Sequence, residues 1–187
     1  MIFNYVSAIL MLVIGLGLTH LLGDLVYAFR DRKRTTIHWI PFAWAGIIFA
    51  EQMQFLWAIY ELHDLVIKWT ALDFMLMLAL SLLLFVAGAL VVPRDNEDGT
   101  DGWILFLENG RWSLALLILY DVLAYITNLV MFGESPFSLG NISNLVLAVL
   151  LVSNFFSRSK KIWCWGTIVF CIATGISIIL LSPAVYR

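Results

Sequence analysis

The chain has 187 residues; 62% are hydrophobic, 13% are charged, and the formal net charge is −2. A soluble domain carries roughly 25% charged residues, and no soluble fold of this length hides so much apolar surface, so the excess must face lipid. With a mean hydropathy of +0.94, the length divides into several membrane spans and leaves no room for a separate soluble domain.

Six spans can be read in chain order, giving an all-α polytopic bundle in a single transmembrane domain. The first covers about residues 2–29. It begins MIFNYV, without a basic n-region, and its apolar run is too long for a signal-peptide h-region, so it is read as a span and not as a cleaved leader. Within it, His20 and Asp24 stand one helical turn apart and share a face. Beside them runs a stripe of small residues, Gly15, Thr19 and Gly23, of the kind that lets another helix approach closely. The second span, about residues 37–60, carries Glu51, Gln52 and Gln54, with a shorter small-residue stripe at Gly46 and Ala50. The third, about residues 66–92, carries Asp73 near its start.

The loop 93–111 opens on PRDNEDGTDG, a turn-rich polar run, and continues through apolar residues 103–107, too few to span and expected to lie at the membrane interface. Glu97, Asp101 and Glu108 have partial EF-hand spacing with Gly102 at the turn. Gly99 falls where a ligand belongs and the second half is apolar, so the loop is read as a solvated acidic turn and no metal site is expected. The fourth span, about residues 112–132, places Asp121, Ala124, Tyr125 and Asn128 on one face. The fifth, about residues 142–156, is short, and the sixth covers about residues 162–181. Cys164 and Cys171 share a face of that last span, a spacing that gives neither a mutual disulfide nor a CxxC metal motif.

Loop charge sets the orientation. Arg30, Arg32, Lys33 and Arg34 follow span one, Arg94 and Arg111 flank the loop after span three, and Arg158, Lys160 and Lys161 follow span five. Only Lys68 and Arg187 lie on the other side. The positive-inside rule makes the basic side cytoplasmic and puts both termini on the non-cytoplasmic side of a bacterial-type plasma (inner) membrane. Trp39, Trp69, Trp112, Trp163 and Trp165 fall near span ends, where an amphipathic indole prefers to sit.

Chemistry in such a chain concentrates at its intramembrane ionisable groups. Each costs about 2.5–3.5 kcal/mol on insertion scales and needs a partner or a wetted cavity. They are His20, Asp24, Glu51, Asp73 and Asp121, with Asp64 at the interface, and no Lys or Arg lies deep in any span. At 1.5 Å per residue, Asp24 lies ~8 Å and His20 and Asp121 ~14 Å from the basic end of their spans, while Glu51 and Asp73 fall past the midplane. With Gln54, Asn128, Asn144 and Asn154 they form a ladder of polar groups across the membrane, and packing of spans one, two and four around one polar interior is expected. The plain alternative is that the amides only join helices and that His20 and Asp24 form a structural pair.

Three functions compete. The leading expectation is a small proton- or cation-handling channel or transporter subunit working through Glu51, His20, Asp24, Asp121 and Asp73, with Gln54 and Asn128 beside them. A second is an enzyme. The string Leu21-Leu22-Gly23-Asp24 and the pair Tyr120-Asp121 resemble the GxGD and YD motifs of intramembrane aspartyl proteases, which implies Asp24 and Asp121 as a catalytic pair. Leu21 replaces the first glycine and the order along the chain is reversed. The third is a homo-oligomeric scaffold or sensor subunit that docks a cytoplasmic protein through loops 30–36 and 93–111. No cofactor is expected. Haem needs two histidines at matching depth, and His20, His38 and His63 do not match. The RDRKR run beside a span is read as a topology determinant or lipid contact, not a nucleic-acid patch.

Overall fold

The computed structural model describes residues 2–30, 38–65, 69–92, 101–157 and 159–181. Residues 31–37 and 93–100, which hold most of loop 30–36 and the first part of loop 93–111, both expected to dock a partner, lie outside them, as do Lys68, Arg158, Arg187 and the side chain of Asp64.

Seven helices make up the described chain, with no β-strand: α1 (Ile2–Arg30), α2 (Trp39–Leu65), α3 (Ala71–Val91), the short α4 (Gly102–Leu105) running into a π-helical turn (Phe106–Gly110), α5 (Trp112–Val130), α6 (Leu139–Phe156) and α7 (Lys160–Leu181). In lipid every backbone polar group must be satisfied within the segment, so apolar runs of this length have only the helix open to them. All except α4 are long and apolar enough to cross a bilayer. Pro41 is tolerated in α2 because it falls in the first turn, where its missing N–H has no partner to lose.

The starts of α3 and α6 differ most from the sequence reading. α3 begins at Ala71 because Thr70 caps it: the Asp73 N–H donates to Thr70 Oγ1 at 3.2 Å and the Thr70 N–H donates to Asp73 Oδ2 at 2.9 Å. α6 begins at Leu139, not 142, because the Ser138 hydroxyl accepts from the Asn141 N–H at 3.2 Å. Between α5 and α6, Gly133 takes the left-handed conformation (φ 62°) and the Glu134 N–H reaches back to the Asn128 carbonyl at 3.0 Å, satisfying a carbonyl of the last turn of α5.

α2 packs on α3, α3 on α5, α5 on α6, α6 on α7, and α7 returns to α2, so five helices close a ring. α1 packs against the outside of this ring, on α2 and α3. The expected grouping of spans one, two and four around one interior is therefore corrected: α1 is not a wall of the interior. Gly17 and Gly88 explain its seat. A Cβ on Gly17 would stand 2.9 Å from Gln52 Nε2 and one on Gly88 would stand 3.3 Å from it, so these glycines leave room for Gln52 between α1, α2 and α3. Gln52 is fully buried there and donates to the Leu84 carbonyl at 3.1 Å.

At the end of the ring nearest the basic loops, aromatic rings fill the interior. Trp44, Phe106 and Trp163 are wholly buried. Trp44 lies tilted against Phe170 (4.9 Å between centroids), and Trp163 stands edge-on to both Phe106 (5.4 Å) and Trp103 (5.9 Å). The Trp44 indole N–H donates to Thr167 Oγ1 at 3.1 Å, fixing α2 to α7. Trp103, Leu105 and Phe106 are buried, so the segment expected to rest on the membrane surface is instead tucked under the bundle as a plug. Trp163, expected in an interfacial belt, belongs to the same plug; Trp39, Trp112 and Trp165 do stay exposed.

Candidate functional site

Above the plug, α2 and α5 are not packed neighbours and face each other across two joined compartments. The inner one, about 180 Å³, is lined by Glu51 and Gln54 from α2, Tyr120, Asp121 and Asn128 from α5, Asn144 from α6 and Ser177 from α7. The outer one, about 530 Å³, is mostly apolar, walled by Phe55, Leu62, Met77, Leu80, Met131 and Phe132, with Glu134 beside them. Both share Phe55, Ala58, Tyr120, Ala124 and Asn128, so they form one cup. The outer compartment reaches residues at the α2, α3 and α5 ends remote from the basic loops.

Glu51 and Asp121 meet in the inner compartment. Counting from the basic ends of their helices, Glu51 lies ~18 Å and Asp121 ~14 Å along, near the middle of a ~30 Å hydrocarbon core. Asp121 is 6% exposed, and its Oδ2 has no hydrogen-bond partner among the described residues. Among the described residues, no Lys, Arg or His lines either compartment. Depth along the sequence sets these two acids on opposite sides of the midplane. In the structure both line one compartment.

Hydrogen bonds hold the walls. Asn128 Nδ2 donates to Asn141 Oδ1 at 3.0 Å, joining α5 to α6, and Asn141 in turn donates to the Ser135 carbonyl at 2.9 Å. The hydroxyls of Ser143 and Ser177 lie 2.7 Å apart, joining α6 to α7. Nothing in the sequence singles out Ser143, Ser177 or Asn141, because single serines and asparagines near helix ends carry no periodic signal.

The other candidates fall elsewhere. Asp24 is 1% exposed and pairs with His20 (Nδ1 to Oδ2, 3.1 Å), and His20 sets its edge toward Phe85 on α3 at 6.2 Å. This pair belongs to the α1–α3 seam. Asp24 and Asp121 are therefore not brought together as the protease-like motifs imply, since α1 and α5 are not packed neighbours and Asp24 does not line the cup. Asp73 is occupied by the α3 cap, where Thr70 Oγ1 also donates to it at 2.8 Å. A methyl group added at Gly15, Gly23 or Gly46 would meet nothing within 4 Å, and Thr19 is exposed and bonds its own helix at the Gly15 carbonyl, 2.8 Å. The small-residue stripes that include Ala50 thus do not make the close approaches within this chain. Gly17, Gly88 and Gly166 do.

No group of three or more His, Cys, Asp or Glu suited to a metal ion occurs among the described residues. Six span-length apolar helices, five of them around an acidic interior cup, with large side chains such as Val149 and Ile179 (68% and 77% exposed) turned outward, define a multi-pass membrane helix bundle in contact with lipid. Compared with known protein families, curated proteins and solved structures, the chain finds no match in any of the three.

Proposed function

We propose that this protein handles cations or protons as a small transporter or channel subunit of the plasma (inner) membrane, its basic-loop side cytoplasmic, with Glu51 and Asp121 as the working groups. One observation carries the reading. Two carboxyls from helices that do not pack together face one cavity near mid-membrane, and no basic side chain among the described residues lines that cavity. Ionisable groups at that depth are costly, and a pair of acids without a fixed cation is best satisfied by a transient one. Gln54 and Asn144 supply neutral ligands beside them. The aromatic plug favours a compartment reached from the non-cytoplasmic side over a continuous pore, so passage requires the plug or its helices to move.

The test is cation or proton flux in proteoliposomes. Glu51→Gln is expected to abolish flux while the variant retains wild-type helix content and elutes as the wild type does. Unchanged flux removes Glu51 from the mechanism and ends this reading.

A further inference from the structure

The cup is larger and greasier than a bare ion requires. We infer that its ligand is an organic cation with an apolar body, an inference that rests on the cation-handling reading and names its substrate class. The two compartments divide the ligand's chemistry between them. The deep one, about 180 Å³, holds both acids, and Asp121 presents a buried oxygen with no partner among the described residues. The outer one, about 530 Å³, is walled by Phe55, Leu62, Met77, Leu80, Met131 and Phe132. Its volume lies in the range of small-molecule pockets, roughly 300–1,000 Å³, which are mostly apolar with a few placed polar groups.

A hydrated inorganic ion gains nothing from such a wall. A cationic head at Glu51 and Asp121 with a hydrocarbon or aromatic body against the outer wall satisfies both compartments at once. Tyr120 and Phe55 line both, so aromatic rings stand where head and body meet, residues of the type that make cation–π contacts. Met77 and Met131 add adaptable thioethers, which fit bodies of varied shape. Glu134, beside the outer compartment, adds negative charge that steers cations and repels anions.

The experiment is equilibrium binding of tetraphenylphosphonium to the full chain in nanodiscs of neutral lipid. Saturable binding is expected, weakened at least tenfold by the double substitution Glu51→Gln, Asp121→Asn. Should that variant not fold, competition on the wild type decides: uncharged triphenylphosphine oxide is expected to leave bound tetraphenylphosphonium in place. Equal binding by wild type and double variant, or equal displacement by the uncharged compound, means that only hydrophobic partition is measured and overturns the inference. Absence of saturable binding in a preparation whose sodium or proton flux still depends on Glu51 overturns the organic-cation inference alone and leaves the cation-handling reading standing.

Discussion

Asp24, Asp73 and Asp121 are three aspartates in an oily chain, and each is accommodated differently. Asp24 has a histidine one turn away, Asp73 receives a helix N-terminus, and Asp121 faces a cavity. The first is buried in its pair, so Asp24→Asn is expected to lower stability by about 1–3 kcal/mol, the usual cost of impairing a buried polar pair, as read from the unfolding midpoint in detergent. His38 permits a prediction in pH. It sits beside Trp103 (5.1 Å between centroids), its Nδ1 accepts from the Ile40 N–H at 3.4 Å, and burial, then the nearby Lys160 charge, hold its pKa below the ordinary 6.5, against a smaller opposing pull from Asp101. The unfolded state then binds the proton more readily than the folded one, so stability falls as pH drops from 6.5 toward the lowered value and levels off beneath it. Hydrogen exchange of residues 102–110, corrected for intrinsic rate, is expected to show protection falling from pH 7.5 to 5.5 in the wild type and much less change in His38→Gln.

At the level of the helix, the contact of α6 with α7 turns on one glycine. Gly166 lies so close to the side chain of Asn154 that a Cβ there would overlap it, and Asn154, 1% exposed, is anchored to its own helix through the Leu150 carbonyl at 3.1 Å. Gly166→Ala is expected to cost about 1–3 kcal/mol through overpacking, and most of that loss is expected to vanish in the background Asn154→Ala, which a double-mutant cycle of melting midpoints measures. The six spans are legible in the sequence because hydropathy over about 20 residues is a summed signal, insensitive to any one position. Their ends are less so. Thr70 with Asp73 and Ser138 ahead of Asn141 are local capping patterns that a search for apolar runs passes over. The packing glycines escape notice for another reason. Gly15 and Gly23 repeat along one helix and draw attention, whereas Gly17 matters only because Gln52, on another helix, fills the space beside it. No single-helix pattern contains that information.

Across the whole molecule, the acids are visible in the sequence as residues but their grouping is not. Asp121 is expected from sequence to share an interior with both Asp24 and Glu51, and it shares one with Glu51 alone of the two, because ring order α2–α3–α5–α6–α7 sets α2 opposite α5 and leaves α1 outside. That order also makes the aromatic plug a joint of three separate stretches, from α2, α7 and the segment 102–110. Trp44→Ala removes both its ring contact with Phe170 and its bond to Thr167, and is expected to destabilise by about 3–5 kcal/mol, seen as a lower unfolding midpoint. The seam between α2 and α7 carries a consequence for biogenesis. The second helix to leave the ribosome finds its last wall partner only when the seventh is inserted, so a nascent chain that has reached Phe156 is a horseshoe whose acids look out through a slot at lipid. Insertion of α7 is then the event that turns a row of helices into a vessel.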